Sequence, residues 1–398
     1  MNYKFGIVAI GYNRPDSMNR LLTILNSCDF PNQKITLIIS IDNCGDDSVV
    51  EVANRFHWSF GEKIVIHYND RQGLRKHILK CGSYMNEYGL DAMAVFEDDV
   101  VPSPVFFSYM KQCTEKYYDN PDIAGISLYK HLMNVNASLP FQPQGSKYDV
   151  YFMQFAQSWG QVWMKPQWNA FYDWYETEND HVFDPQVIPE FVCRWPKTSW
   201  LKYHIKYCIE KNKYFVYPYT SYSTCYSEAG EHCGETTSRY QVSVQRGSID
   251  QLRFPKSLSD AVKYDAFFEY IDDSGICYDL YGTKTHYNGS RLLSEKILPY
   301  KVISSYSLVE KPHEMNYLNQ ISGDGMFLYD LSEEHSNNLE HKNLLDIVNY
   351  YYNYFPGLKD VGRLFLILLK RTTHSYYQRA IRKAKKILTR VQMKKQAV

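Results

Sequence analysis

Residues 92–110 read AMAVFEDDVVPSPVFFSYM. The run from Ala92 to Phe96 is apolar without interruption. A strand with one wet face would alternate apolar and polar residues, so a continuous run marks a strand buried on both faces, the habit of parallel sheets. The run ends at Glu97, Asp98 and Asp99, consecutive carboxylates with no basic neighbour in sequence. Similar runs lie upstream at 5–10, 35–41 and 63–67 and downstream at 123–128. Their starts are about 30 residues apart, the length of one strand-helix unit. Between the first two runs, Met18, Leu21, Leu22 and Leu25 keep helical spacing behind Pro15 and Asp16, which favour a helix start. Leu74, Ile78, Cys81 and Met85 repeat that spacing before the 92–96 run. Strands alternating with crossover helices predict a doubly wound, mostly parallel α/β sheet of Rossmann-like form over the first 130 residues.

Composition narrows the class. The chain has 398 residues with 44% hydrophobic and 22% charged, values of a globular protein. Lys plus Arg and Asp plus Glu both number 44, so bulk charge offers nothing to a nucleic acid. Tyr alone numbers 36, and its flat apolar face with a polar tip suits carbohydrate surfaces. The nine cysteines form no CxxC, and Cys225 with Cys233 lacks the second pair of a zinc site, which reads as reduced thiols in a cytoplasmic compartment. The start is too short in apolar residues for a signal peptide. The apolar run at 364–369 falls far short of the roughly 20 residues of a membrane span.

Past residue 151 the pattern becomes aromatic-rich, and from 359 it turns basic: 12 Lys or Arg stand against Asp360, leaving 32 basic and 43 acidic residues before it. The expected division is 1–246 for the sheet domain, 247–358 for an accessory region and 359–398 for a basic tail. In that tail Tyr377, Ile381, Ala384, Leu388 and Val391 recur on one helical face, so a basic amphipathic helix is expected, set against an anionic membrane surface or against a protein partner.

Ligands of open α/β sheets bind outside the carboxyl ends of the strands. Arg14 follows the first run, Asp42 the second, Asp70 the third and Glu97-Asp98-Asp99 the fourth, with Arg75 opening the next helix. No GxGxxG follows the first strand and no GxxxxGK[ST] occurs, which argues against dinucleotide and P-loop folds. Three adjacent carboxylates require a counter-charge, and hard oxygen ligands suit Mg2+ or Mn2+, with a nucleotide diphosphate supplying further oxygens. Asp42 has the place of an acidic residue that accepts from a ribose or a base edge, while Asp46 or Asp47 is the more natural helix cap.

These residues, with IVAIGYNRP at 7–15, LIISIDNCGDD at 37–47, QGLRKHILKC at 72–81, QSWGQVWMKPQW at 157–168 and STCYSEAGEHCG at 223–234, make the chain resemble GT-A nucleotide-sugar glycosyltransferases. The likeness is to Golgi mannoside N-acetylglucosaminyltransferases and to bacterial polysaccharide glycosyltransferases, and it covers roughly residues 5–235. It implies a GT-A fold, a donor such as a UDP-sugar, a glycan acceptor in surface-polysaccharide assembly, Mn2+ or Mg2+, and inversion at the transferred carbon. By the same likeness Arg14 and Asp42 contact base and ribose, and Asp98 and Asp99 are the family's DxD-type pair with Asp99 the direct metal ligand; Asp70, Arg75 and Glu97 are further candidates to line the donor with Asp98. His232 then sits in a closing loop as a metal or phosphate ligand, and Trp159 with Gly160 lines donor sugar and acceptor. The Golgi enzymes carry an acidic pair after a WPK-like segment; here residues 195–202 contain no acid. The base therefore falls to Glu228, with Glu190 and Asp180 behind it. A peripheral position on the inner face of the cell membrane, beside a lipid-linked acceptor, follows from the tail, and a homo-oligomer is compatible with the sequence. Two other readings stay open: a nucleotidyltransferase, and a catalytically inactive glycan-binding or scaffold protein.

Overall fold

The computed structural model describes residues 2–136, 139–177, 181–185, 187–226, 228, 238–272, 275–279, 291–336 and 339. All of these lie in the first of two units of the chain, Met1–Lys342. The expected tail helix, Asp180 and His232 lie outside the described residues.

The first half runs β1 (Phe5–Gly11), α1 (Pro15–Leu25), β2 (Thr36–Ile41), α2 (Ser48–Arg55), β3 (Lys63–His67), α3 (Leu74–Glu87), β4 (Ala92–Glu97), β5 (Val100–Pro102), α4 (Phe106–Tyr117) and β6 (Ile123–Ser127). The chain continues through β7 (Met133–Asn134), β8 (Leu139–Pro140), β9 (Val150–Met153), β10 (Gln161–Met164), α5 (Lys165–Thr177), α6 (Glu190–Cys193), α7 (Leu201–Glu210), β11 (Tyr214–Pro218), β12 (Ser223–Cys225) and β13 (Lys263–Tyr264). Nine strands form one sheet in the order β13-β9-β11-β6-β10-β4-β1-β2-β3. β1 pairs in parallel with β2 and β4, and β2 with β3. The five apolar runs are therefore strands, and the fold is a doubly wound mixed α/β sheet.

The continuous apolar runs have a direct cause. Ile7 and Ala9 of β1 face one buried cluster, which they share with Met18, Leu22 and Phe107. Val8 and Ile10 of the same strand face a second, which they share with Ile78, Met85 and Trp168. Helices cover both faces, so neither set of alternate positions meets water. Pro15 opens α1, where its missing N–H is not needed, and Asp16 sits in the first turn. On the second face α3 and α5 approach closely at Gly82. A Cβ there would lie 1.8 Å from the Trp168 ring, which itself stacks on Trp163 with centroids 3.9 Å apart.

One feature departs from the simple alternation. β10 inserts antiparallel between β4 and β6, so the fourth and fifth apolar runs are not neighbours. The aromatic-rich stretch after residue 151 supplies β9, β10 and β11 to the sheet rather than a separate layer. β13 pairs with β9 at the far edge. Farther along, β14 (Ile276–Asp279), β15 (Arg291–Ser294), β16 (Tyr300–Tyr306) and β17 (Met326–Glu334) make a second sheet in the order β14-β15-β17-β16, with α8 (Glu314–Leu318) before β17. Among the described residues no helix is long and apolar enough to cross a membrane.

Candidate active site

From β1 the chain winds outward to β2 and β3, then returns to place β4 on the other side of β1. The boundary between β1 and β4 is the switch point, where the connections leave in opposite directions and open a crevice. Ile10 is level with Glu97 across this boundary. Arg14, three residues past β1, thus meets the acidic turn that ends β4.

The contacts are direct. Arg14 Nε donates to Asp98 Oδ2 at 3.2 Å, Nη2 donates to Asp98 Oδ1, and Nη2 also reaches Asp99 Oδ2 at 3.2 Å. The counter-charge that the sequence reading assigned to a metal is supplied in this structure by Arg14, 84 positions away along the chain. Local sequence around 97–99 has no hint of it, because the partner arrives through strand order. Burial opposes the Arg14 charge, but Asp98 and Asp99 outweigh it and hold the guanidinium protonated above its usual range. Its Nη1 is buried with no hydrogen-bond partner among the described residues. Asp98 is 5% exposed, and desolvation pushes it up to about 6 even with Arg14 attached. Desolvation, then repulsion from Asp99 and Asp98, pushes Glu97 up to about 8, while a hydrogen bond from Trp200 works the other way. Asp99 is the more open of the two aspartates, with 30% of its side chain exposed against 7% for Asp98.

Asp42 is 4% exposed and largely satisfied by protein. Its Oδ1 accepts from the Asn43 and Gln72 amides at 2.9 and 2.6 Å, and Oδ2 from the Gly73 amide at 2.8 Å. It ties the end of β2 to the loop that enters α3. Of the two proposed caps, Asp46 is the one that accepts from the Ser48 amide, at 2.8 Å. Asp70 is exposed in the same loop as Gln72. Arg75 turns toward α7, donating from Nη1 to the Tyr203 hydroxyl at 2.6 Å.

Trp159 and Gly160 precede β10, whose Gln161 is level with Val95, so they reach the same end of β4. Gly160 holds φ +97 and is backed by Phe96 and Ser223; a Cβ would lie 2.8 Å from Ser223 Oγ. The glycine answers a backbone requirement there. Trp159 stacks on Tyr240, centroids 4.8 Å apart, and packs against Tyr129 at the same separation.

Glu228 is drawn to α1. Arg20 donates to it from Nη1 and Nη2 at 2.7 and 2.8 Å, and the Ser17 hydroxyl donates at 2.9 Å. The Arg20 bond lowers its pKa, so as placed it is a weaker base than the sequence reading expects. The Arg20 guanidinium also lies 3.7 Å over the Tyr226 ring, and the Tyr226 amide donates to the Asp99 carbonyl at 2.8 Å. Tyr226 and Glu228 thereby both meet α1, and Tyr226 meets the acidic turn as well. Glu190 is exposed on α6 and pairs with Arg194 at 2.5 Å.

Arg20, Ser17, Tyr226, Trp200 and Tyr240 were not singled out from the sequence. Ser17 and Arg20 carried one readable signal, a spacing of three that sets both on one face of α1. The others had none.

Among the described residues no group of three His, Cys, Asp or Glu is arranged as a metal site. A cation held jointly with substrate phosphates needs only one or two protein carboxylates, and Asp98 with Asp99 are hard oxygen donors, so the turn fits Mg2+ or Mn2+ in that shared mode. The eight described cysteines are all free thiols.

No protein family and no curated protein matches the chain. Among solved structures, S. aureus TarS residues 1–349 with UDP-GlcNAc overlaps with 11% identity and a TM-score of 0.38, covering 58% of this chain and 60% of that one. The Pyrobaculum calidifontis mannosyltransferase PcManGT with GDP-Man and Mn2+ overlaps with 11% identity and a TM-score of 0.31, covering 42% and 46%. This chain thus matches less than two thirds of either structure, and overlaps this low carry no inference about activity.

Proposed function

We propose that this chain is a GT-A-type glycosyltransferase that moves a sugar from a nucleotide-sugar donor, UDP-linked, to a glycan acceptor of bacterial surface polysaccharide. The carrying observation is the Glu97-Asp98-Asp99 turn at the β1/β4 switch point, facing Arg14 across the crevice. Anionic donors bind at such points, and a cluster of acids there is matched to a donor through a shared cation. Asp99, the more open carboxylate, and Asp98 are the residues that hold it. When bound, the metal supplies Lewis-acid neutralisation of the diphosphate leaving group.

Asp42 fixes the loop that shapes the nucleotide end of the crevice, through the Gln72 and Gly73 amides. Trp159 with Tyr240 offers an aromatic wall beside the turn for a sugar ring. Inversion is favoured by the family resemblance, which also gives His232 as a metal or phosphate ligand. Glu228 and Glu190 are the proposed proton acceptors, and Glu228 serves as one only when its Arg20 pair opens. The basic tail holds the enzyme at an anionic membrane surface, beside a lipid-linked acceptor.

Hydrolysis of a panel of nucleotide sugars with Mn2+ tests the reading. Turnover of one or more donors that chelator removes supports it. Pyrophosphate release from a nucleoside triphosphate instead favours a nucleotidyltransferase. Nucleotide-sugar binding without turnover favours an inactive scaffold.

A further inference from the structure

We infer that Arg14 is an internal counter-ion that competes with the divalent cation for Asp98 and Asp99, so that the protein without donor holds metal weakly. The inference rests on the glycosyltransferase reading and adds a property of this chain's own residues. One guanidinium engages both carboxylates: Nε and Nη2 on Asp98, and Nη2 again on Asp99. A cation that ligates the same carboxylates competes with Arg14, because each bond from the guanidinium takes up an oxygen lone pair and draws on the negative charge that the metal would use. The two positive charges also repel each other over the few ångströms that separate positions on one acidic turn.

A second observation points the same way. Arg14 Nη1 is buried and has no acceptor among the described residues. A buried donor left unmet weakens the state that contains it. Asp98 and Asp99 oxygens engage Nε and Nη2 of the guanidinium fork and leave Nη1 without one. An anionic diphosphate brings oxygens of that kind into the crevice. Donor and metal entering together would therefore exchange partners evenly, the carboxylates passing to the cation and Arg14 to the anion. Metal entering alone would strand Arg14.

Mn2+ binding to the nucleotide-free, full-length protein, measured by calorimetry and by electron paramagnetic resonance of free Mn2+, tests this. Arg14→Gln is expected to bind Mn2+ at least about tenfold more tightly than wild type, since it removes both the competitor and its charge. Arg14→Lys, which keeps the charge but lacks the fork, is expected to gain only a few fold. Adding Asp99→Asn to Arg14→Gln is expected to erase the gain. Equal or weaker Mn2+ binding by folded Arg14→Gln overturns the inference, as does a gain that survives Asp99→Asn. If Arg14→Gln does not fold, Arg14→Lys decides: no gain there overturns it. Donor hydrolysis by wild type in saturating Mn2+ separates the two claims, because turnover there with no gain in the variants leaves the glycosyltransferase reading standing and removes the role of Arg14.

Discussion

Two aspartates one peptide apart sit in different surroundings, and their substitutions should separate. Asp98 is buried and takes two bonds from Arg14, whereas Asp99 is more open and takes one at 3.2 Å. Asp98→Asn removes a charge that burial disfavours even beside Arg14, its carboxyl being pushed up to about 6, so unfolding stability at neutral pH should hold or rise. Asp99→Asn should change stability by less than about 1 kcal/mol, the scale of exposed pairs. Both should lose metal-dependent turnover. Denaturant unfolding of the two variants, beside donor hydrolysis, checks this; a clear loss of stability in Asp98→Asn would show that Arg14 outweighs the cost of burial. Glu228 poses the opposite question. Both its oxygens are engaged by Arg20 and Ser17, so it acts as the base only once that pair opens, and Glu228→Gln should then cost the roughly 10²–10⁴ in kcat that loss of a working base brings. A drop in kcat of less than about tenfold would remove Glu228 from the role of base. None of these distinctions is visible in the string EDD or SEAGEHCG, since each depends on which residue at or before α1 comes to meet the acid.

Among the elements, α7 is the least expected. It carries His204 with 0% exposure, stacked on Phe171 at 4.1 Å, and neither ring nitrogen has a hydrogen-bond partner among the described residues. Burial lowers its pKa to about 3. The unfolded chain takes up a proton near pH 6.5 and the folded chain resists until far lower, so U binds more protons than N in between and stability falls as pH drops through that window. His204→Phe removes both the unmet nitrogens and this titration. The variant should gain about 1 kcal/mol at neutral pH, on the scale of an unmet buried polar group. The gap should widen by about 2 kcal/mol at pH 5. Unfolding curves at both pH values test it, and a gap that does not grow on acidification would contradict the burial argument. His77 and His131 are lowered in the same direction by burial, to about 4 and about 3, so acid sensitivity should persist in the variant at reduced size.

At the scale of the whole molecule, the neutral total conceals an acidic body joined to a basic tail. Full-length protein should sediment with anionic vesicles at low salt, and a truncation after Pro356 should stay in solution. Basic residues near such a surface contribute on the order of 1 kcal/mol each, and salt screens them. If full-length protein remains in solution with the vesicles, the tail serves a protein partner instead.

Much of the fold was legible in the sequence for a local reason: strand and helix periods repeat within a few residues, so the runs at 63–67 and 92–96 and the spacing of Met18, Leu21, Leu22 and Leu25 declare themselves without knowledge of the rest. The acids at the end of β4 were legible too, because a strand end is a local place. Tertiary structure alone decided the insertion of β10 between β4 and β6, the meeting of Arg14 with Asp98 across 84 residues and that of Arg20 with Glu228 across 208. Those pairings are set by strand order and chain return. A charge carries no record in its own neighbourhood of the distant charge that the sheet will set beside it.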